Sequence, residues 1–327
     1  MRAWQVGRHG EPRDVLRAVT IAAPDPGPGE VRVQVVAAAI GLPDVLLCRG
    51  TYAFSPPLPF VPGQEVCGVV DAVGDGVDLV PGTRVMGVTA FYDGRGGLGE
   101  ATVLAAANAF RVPEAMTAAE AAAFRIGFST AWAALVRRGG LMAGETLLVL
   151  GAAGGSGQAA VQLGHALGAR VIAVAAGPEK LAFCRGLGAE VGIDRTAESV
   201  PDAVLEATDG RGADMVFDPV GGPPAASALR ALATGGRFLA VGFASGEWVE
   251  VDTRDLVVRN QSLVGVLASG PSREVEEADH EALLGLVADG ALRSPVTTVA
   301  FEDVPEALER VGVGATTGKL VVAVDGS

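Results

Sequence analysis

One segment near the middle of the chain constrains the fold more than any other. The apolar run at residues 146–150 leads directly into a glycine-rich stretch at 151–157, and a helical pattern follows. Glycines at such a junction permit a tight turn and let the backbone approach a pyrophosphate at the positively polarised start of a helix. A glycine-rich loop alone is a weak signal, but its place between a strand and a helix gives it meaning. The segment predicts dinucleotide binding by Ala153, Gly154, Gly155, Ser156 and Gly157.

The chain after this loop repeats the alternation of apolar strands and helices. Six short strands joined by helical crossovers predict a doubly wound parallel sheet of the α/β class. An alanine-rich segment with helical spacing, at 118–134, precedes the first of these strands. The later strands are predicted at 170–174, 190–193, 214–217, 237–241 and 262–266, and the helices at 158–167, 179–187, 199–207 and 224–233.

The first third of the chain has a different character, because proline and glycine interrupt it repeatedly. Residues 24–29 must form a loop, since their prolines fix φ and remove backbone donors. Residues 30–35 then alternate apolar and polar side chains, which is typical of a half-buried strand. Together with strands predicted at 66–70 and 83–88, they indicate a small β-rich domain. The tail adds predicted helices at 274–289 and 304–311 and a strand at 319–324.

Length, charge and cysteine content exclude several classes of protein. A chain of 327 residues corresponds to two domains at about 150 residues each. Its 25 basic and 38 acidic residues give a net charge of −13, so nucleic acid is not expected as a partner. The three cysteines, Cys48, Cys67 and Cys184, form no Cys-x-x-Cys pair, which argues against a disulfide framework or a four-cysteine zinc site and favours a reducing cytoplasm. No apolar run reaches the ~18 residues of a membrane span, and the N-terminal residues lack the apolar region of a signal peptide.

The end of the second predicted strand bears on the choice of cofactor. An NAD enzyme carries an acid there, which binds the ribose 2′-hydroxyl and would repel a 2′-phosphate. This chain has Ala175-Ala176-Gly177 instead, followed by Lys180. The sequence therefore favours NADPH, with Ala176 and Lys180 at the 2′-phosphate and Arg195 as a further candidate. The alternative for Lys180 is a plain solvated lysine in the first turn of its helix, and the alternative for Arg195 is a surface arginine.

Several motifs in a fixed order resemble those of the medium-chain dehydrogenase/reductase superfamily, in its zinc-independent NADPH:quinone oxidoreductase branch. The resemblance covers essentially the whole chain. The residues that carry it are Pro43-Asp44, Arg49-Gly50-Thr51-Tyr52, the run at 57–65 ending in Pro62-Gly63-Gln64-Glu65, Gly127-Phe128-Ser129-Thr130-Ala131-Trp132, the glycine loop, the run at 214–222, the run at 241–246 and Gly318-Lys319.

The resemblance implies two domains and a set of cofactor contacts. A GroES-like β-barrel catalytic domain would comprise residues 1–119 and 268–327, and a Rossmann NADPH-binding domain residues 120–267. Thr130 would contact the nicotinamide carboxamide, although helix capping with Ser129 is an alternative role for it. A homodimer would form along the strand at 262–267, since an apolar edge strand needs covering. The remaining cofactor contacts would be Val220, Phe243, Ala244, Ser245 and Lys319.

The resemblance also allows the question of zinc to be tested position by position. Alcohol dehydrogenases of this superfamily place their zinc ligands where this chain has Gly41, Gln64 and Ile126. Glycine and isoleucine have no donor atom and a lone amide is a poor zinc ligand, so no metal site is expected. Direct hydride transfer from the nicotinamide to an electron-poor acceptor, a quinone or an activated alkene, remains.

The candidate acceptor site consists of Gly41, Asp44, Tyr52 and Gln64. Tyr52 and Gln64 are the residues expected to hydrogen-bond a developing oxyanion. Packing is the alternative role for Tyr52, and orientation of a loop or capping of a short helix is the alternative for Asp44. Family members often have Asn at the position of Gly41 and Arg at that of Cys48, so this chain has room for a bulkier or more apolar acceptor.

Three functions stay open at this stage. The first is an NADPH-dependent quinone reductase. The second is a reductase of α,β-unsaturated acyl-CoA, acyl-carrier or enone substrates, for which the same hydride geometry serves. The third is a non-catalytic NADPH-binding protein. An enzyme that binds a CoA ester would need basic residues to contact the nucleotide phosphates. The candidates are Arg49, Arg95, Arg125 and Arg259.

Overall fold

The computed structural model describes residues 1–324. It divides into two compact units. Unit 1 comprises Met1–Ile126 and the C-terminal segment from Ser294, and unit 2 comprises Gly127–Arg293. The sequence placed these boundaries near residues 120 and 267, so the second one lies further along the chain than expected.

The later boundary of unit 2 has a physical reason in its side-chain contacts. The helix at 273–288 was assigned to the first domain from the sequence. Its Asp279 accepts a hydrogen bond from Trp132 Nε1 at 2.8 Å and pairs with Arg137 Nε at 2.9 Å. Arg293 is held through its backbone N–H and C=O by the amide of buried Gln162, at 2.9 and 3.0 Å. These bonds tie the segment up to Arg293 into unit 2.

The strands and helices follow in chain order. The strands are β1 (Arg2–Val6), β2 (Leu16–Thr20), β3 (Glu30–Ile40), β4 (Glu65–Val73), β5 (Arg84–Val88), β6 (Ala101–Ala105), β7 (Ala109–Arg111), β8 (Thr146–Val149), β9 (Arg170–Ala175), β10 (Val191–Asp194), β11 (Ala213–Asp218), β12 (Leu232–Ala240), β13 (Ser262–Gly265), β14 (Val296–Ala300) and β15 (Lys319–Ala323). The helices are α1 (Pro12–Val15), α2 (Leu42–Arg49), α3 (Ala118–Ala122), α4 (Arg125–Trp132), α5 (Gly155–Ala166), α6 (Pro178–Arg185), α7 (Val200–Ala207), α8 (Gly222–Leu229), α9 (Thr253–Arg259), α10 (Arg273–Ala288) and α11 (Val304–Gly312).

Unit 2 is a doubly wound α/β unit, as the sequence predicted. Within the described residues its parallel sheet has six strands in the order β10-β9-β8-β11-β12-β13. The order runs in opposite directions on the two sides of the β8–β11 pair, and ligands of such sheets bind beyond the carboxyl ends of the strands at that point. The sheet is buried by apolar side chains, among them Leu148, Ile172, Val216 and Phe238.

One predicted helix of unit 2 is too long. The pattern predicted a helix at 224–233, but α8 ends at Leu229 and β12 begins at Leu232. Leu232 pairs with Ala213 of the neighbouring strand. Strand pairing therefore includes residues that helical periodicity alone assigns to the helix. The predicted helix at 118–134 is likewise divided into α3 and α4, and a π-helical stretch, Ala133–Arg138, follows.

Unit 1 is built on the long strand β3, whose alternating side chains are buried on one face over its first half. In the described chain its larger sheet runs β14-β15-β3-β4-β5-β7, and β6 pairs with β3 as well. The tail enters through β15, which pairs antiparallel with β3 so that Leu320 faces Ile40. Sequence patterns did not identify β1, β2, β6, β7, β14 or α2.

No helix within residues 1–324 combines the length and the apolar character needed to cross a membrane.

Candidate functional site

The glycine-rich loop of unit 2 forms a tight turn between β8 and α5. Gly151 has a φ of +56°, in the left-handed region that favours glycine, and Gly154 N donates to Gly151 O at 2.9 Å. A Cβ added to Gly157 would lie 2.2 Å from Gly151 O, so the first turn of α5 rests directly on the loop. Only glycine fits at this close approach.

The start of α5 offers free backbone donors. The first N–H groups of an α-helix have no acceptor within the helix, and here they belong to Gly155, Ser156 and Gly157. The N-terminus of a helix attracts negative charge, so this turn fits a pyrophosphate. Ala153 is buried beside it, and Ala152 N donates to Val174 O of the neighbouring strand at 3.0 Å. The predicted loop residues are thus brought together as a dinucleotide site requires.

The loops that follow β11 and β12 pack against each other at the same edge of the sheet. Ala244 N donates to Pro219 O at 3.1 Å, and Ser245 N donates to Val220 O at 2.8 Å. A Cβ on Gly221 would lie 2.1 Å from Glu247 O, so the two loops are in backbone contact there. Four residues predicted to line the cofactor therefore cluster, namely Val220, Phe243, Ala244 and Ser245.

Asp218 holds the first of these loops in place. It ends β11 and is fully buried, and its Oδ1 accepts hydrogen bonds from Val220 N at 2.8 Å and Gly221 N at 2.9 Å. Burial raises the pKa of this carboxyl, against the two backbone donors that lower it. A Cβ on Gly151 would lie 3.2 Å from Val220 Cγ2, so this loop also borders the glycine loop.

Thr130 lies on α4, whose face touches the start of α5. A Cβ added to Gly127 would lie 3.1 Å from Gly155 O. Thr130 is three residues later on the same helix face. It stands inside α4 and not at its start, so the helix-capping role considered from the sequence does not apply.

A buried acid organises a second group of predicted residues, in unit 1. Asp44 is 2% exposed and lies in the first turn of α2. Its Oδ2 accepts from Gly41 N and its Oδ1 from Gly63 N, both at 2.9 Å. Burial raises the pKa of Asp44 to about 6, while those two N–H groups and Lys319 act in the opposite direction. The capping and loop-orienting role that the sequence left open for Asp44 is the one seen.

A buried ion pair stands next to Asp44. Lys319 Nζ, at the start of β15, pairs with Glu65 Oε2, at the start of β4, and their side chains are 10% and 2% exposed. Glu65 Oε1 also accepts from Ile126 N at 2.8 Å. Lys319 was predicted to line the cofactor, and the structure shows its ammonium bound to Glu65 in the interior of unit 1.

Gln64 carries a buried donor without a partner. The residue is 6% exposed, and within residues 1–324 its Nε2 has no hydrogen-bond partner. Tyr52 is close by and half-buried, with its ring against Phe54 and Phe91 at centroid distances of 6.0 and 6.4 Å. Burial raises the pKa of Tyr52, and the nearby Gln64 amide acts in the opposite direction without completing a hydrogen bond to the hydroxyl. The hydroxyl therefore stays protonated at neutral pH and can donate.

The described residues contain no cluster of three or more His, Cys, Asp or Glu side chains that could hold a metal ion. Glu65, the one acidic side chain beside Gln64 in sequence, is engaged by Lys319 and by Ile126 N. All three cysteines are buried and unpaired.

Comparisons with known proteins agree with this arrangement. Family models match in two parts, an alcohol dehydrogenase GroES-like domain at residues 27–114 and a zinc-binding dehydrogenase domain at residues 155–284. The chain is 36% identical to a quinone oxidoreductase-like protein 2 homolog of Nematostella vectensis over 303 residues, covering 90% of this chain and 82% of that protein. The chain belongs to the medium-chain dehydrogenase/reductase superfamily. It falls in the quinone oxidoreductase branch and is an oxidoreductase.

Solved structures of oxidoreductases have a fold similar to that of this chain. A probable oxidoreductase from Mycobacterium abscessus matches with a TM-score of 0.86 at 36% identity, covering 99% of this chain and 98% of that one. A quinone oxidoreductase of Escherichia coli, solved in complex with NADPH, matches with a TM-score of 0.90 at 26% identity, covering 99% and 100%. Relatives with such complexes support a nicotinamide cofactor for this member of the superfamily.

The arginines considered for CoA phosphates are all engaged in this quinone oxidoreductase-type protein. Each already has a partner within its own unit. Arg49 is bound to Glu11, Arg95 to Glu30 and Asp93, Arg125 lies 3.8 Å from the ring centroid of Phe110, and Arg259 donates to Arg230 O at 3.4 Å.

Sequence reasoning missed three acids, Glu65 in unit 1 and Asp194 and Asp218 in unit 2. Asp218 and Glu65 stood in the motifs that carried the resemblance, but no role was assigned to them. Asp194 ends β10 and hydrogen-bonds across to Gly177, on the turn before α6. That contact links the end of β10 to the turn that follows β9, so no local pattern could have indicated it. Lys180 lies in the first turn of α6, and Arg195 directly follows Asp194.

Proposed function

We propose that this protein is an NADPH-dependent quinone oxidoreductase that transfers hydride without zinc. The buried, unpartnered Nε2 of Gln64 carries the proposal. A buried donor without a partner costs about 1–3 kcal/mol, so a site that retains one is suited to a ligand that supplies the acceptor. A quinone carbonyl is such an acceptor, and its oxygen gains negative charge as hydride arrives.

The residues of the chain would position the reaction and stabilise charge. A bound nicotinamide supplies the hydride, and no covalent nucleophile is needed. The loops at 151–157, 218–222 and 242–247 would hold and orient the dinucleotide. Gln64 Nε2 and the Tyr52 hydroxyl would donate hydrogen bonds to the acceptor oxygen, where preorganised donors are most effective. Asp44 fixes Gly63 and so positions the amide of the next residue.

Zinc independence is supported by the donor set. Gly41 has no side chain to offer, and Ile126 presents only a backbone N–H, which is bound to Glu65. Gln64 would be left as a lone amide, which is a poor zinc ligand.

The choice of NADPH has two supports. No acid stands at the end of β9 itself, where Ala175 and Ala176 lie, and Lys180 is in the first turn of the following helix. The similar Escherichia coli enzyme was solved with NADPH.

The test is oxidation of NADPH and, in parallel, NADH, followed by loss of their near-ultraviolet absorbance. Acceptors are ortho- and para-quinones, a simple enone and crotonyl-CoA. Turnover of quinones alone supports the proposal, and addition of a chelator should leave the rate unchanged. Turnover of the enone or the CoA ester alone reassigns the protein to the reductases of activated alkenes. Absence of NADPH oxidation with every acceptor, despite measurable NADPH binding, supports the non-catalytic alternative.

We further propose a cytoplasmic homodimer. Strand β13 is at the edge of the parallel sheet, and Leu263 on it is 42% exposed. Val257 and Val258 on the preceding α9 are each 75% exposed, so a second copy would cover apolar surface there. The three unpaired, buried cysteines suit a reducing compartment.

A further inference from the structure

The turn between β9 and α6 is where a doubly wound unit meets the adenosine ribose of its cofactor. Gly177 precedes α6 with a φ of +81°, and Pro178 at the first helical position has no N–H to offer. The N–H of Gly177 is therefore a principal backbone donor of this turn. A 2′-phosphate would need such a donor together with the positive charge of Lys180.

Asp194 reaches this donor from the neighbouring strand. It is the last residue of β10 and faces Ala175 in the parallel register. Its carboxylate accepts hydrogen bonds from Gly177 N, from Thr196 N at 2.9 Å and from Thr196 Oγ1 at 2.6 Å. The hydrogen bonds from Thr196 are the main cause that lowers the pKa of Asp194 below its usual range, so this acid is ionised at neutral pH.

A second acid lies against the same residue. Glu198 Oε1 accepts from Asp194 N at 2.8 Å, and Glu179 stands in the first turn of α6. The cations of this region are Lys180 and Arg195. The acid that strand β9 lacks is thus supplied by β10. With Glu198 and Glu179, three acids face two cations around this turn, so its charge is not positive.

We propose that Asp194 is a specificity-determining residue, which weakens the discrimination against NADH by occupying the Gly177 N–H and placing a negative charge at the end of β10, next to the turn that precedes α6. In dinucleotide sites an acid at this turn binds the ribose 2′-hydroxyl and repels a 2′-phosphate. The inference rests on the dinucleotide site of the proposed function, but not on its acceptor. It predicts that the protein binds both nucleotides, with NADPH favoured by no more than about tenfold.

The experiment measures the contribution of the 2′-phosphate to binding apart from the rest of the cofactor. Adenosine 5′-phosphate and adenosine 2′,5′-bisphosphate are titrated into the protein by calorimetry, at fixed low ionic strength. The Asp194→Asn variant keeps an oxygen that can accept from Gly177 N, but removes the charge. We expect its affinity for the bisphosphate to rise by about tenfold, with the affinity for the monophosphate unchanged or lower. In the same variant the affinity for NADPH should rise, and the affinity for NADH should stay unchanged or fall.

Two matched variants guard against a purely structural effect. Thr196→Val removes a hydroxyl that holds Asp194 but keeps the charge, so the ratio of the two affinities should stay as in the wild type. Asp255→Asn removes an exposed acid on α9 and should likewise leave the ratio unchanged.

Each contrary outcome has a distinct meaning. Equal changes for both nucleotides in Asp194→Asn, or no gain for the bisphosphate, overturn the role of Asp194. A wild type that already prefers the bisphosphate by a hundredfold overturns it as well. Failure of the wild type to bind either nucleotide refutes the dinucleotide site itself, and with it the proposed function.

Discussion

Replacement of Lys319 by methionine would remove the cation from the buried charge cluster of unit 1. The cluster has two acids that are almost fully buried, Glu65 and Asp44, and this one lysine. Loss of one partner of a buried ion pair costs about 3–5 kcal/mol, because the other charge is left uncompensated. Methionine has a similar length and no charge, so we expect a decrease of about 3–5 kcal/mol in the unfolding free energy at pH 7.5.

The pH dependence identifies the cause. Burial already raises the pKa of Asp44 to about 6, and Lys319 is among the groups that oppose the rise. Without Lys319 the pKa of Asp44 rises further. A carboxyl whose pKa is raised by folding favours the folded state at low pH, and this contribution is lost as pH rises through the folded pKa. The stability deficit of Lys319→Met should therefore shrink between pH 7.5 and pH 5.

The assay is urea unfolding with thiol labelling read by peptide mass spectrometry. Cys48 and Cys67 are buried in unit 1 and Cys184 in unit 2, so each unit reports separately even if unfolding is not two-state. Labelling of Cys48 and Cys67 should shift to lower urea, whereas that of Cys184 should shift less.

The chain offers a close control for this variant. Lys180 is its other lysine and lies on α6 of unit 2, so Lys180→Met should leave the unfolding of unit 1 unchanged. The double variant Glu65→Gln/Lys319→Met should recover a large part of the loss. A loss below about 1 kcal/mol at pH 7.5, or one that is the same at pH 5, would refute the reasoning.

Three further predictions concern the cofactor loop, the acceptor donor and the dimer. Gly157→Ala should abolish calorimetric NADPH binding, because its Cβ would meet Gly151 O at 2.2 Å, whereas Gly285→Ala, on α10 with open space around it, should leave binding unchanged. Gln64→Leu should lower kcat/KM for quinones by about tenfold with NADPH affinity retained, and equal losses in both would contradict the role of this amide. Leu263→Arg should convert the dimer to monomers in light scattering, and a wild-type monomer would end that proposal.

The architecture of unit 2 could be predicted from the sequence because its signals are local. Apolar strands and helices alternate along the chain, and the glycine loop sits between a strand and a helix. The end of α8 was misjudged because pairing of Leu232 with Ala213 decides it, and that pairing is not encoded nearby. Compact unit 2 extends to Arg293, beyond the residue 267 expected from the sequence, because Asp279 and Arg293 bond to residues more than a hundred positions earlier.

The site shows the same division. Side chains grouped by one motif, such as the glycine loop, lie together in the structure because they are neighbours in sequence, and β9 ends at Ala175 without an acid. Only the tertiary structure decided that Asp194 would supply an acid from β10, and that Lys319 would bind Glu65 across 254 residues of sequence. Backbone propensity and hydrophobic period act over a few residues, so the sequence by itself determines the elements and their loops. Contacts between side chains depend on strand order and register, which only the packed chain establishes.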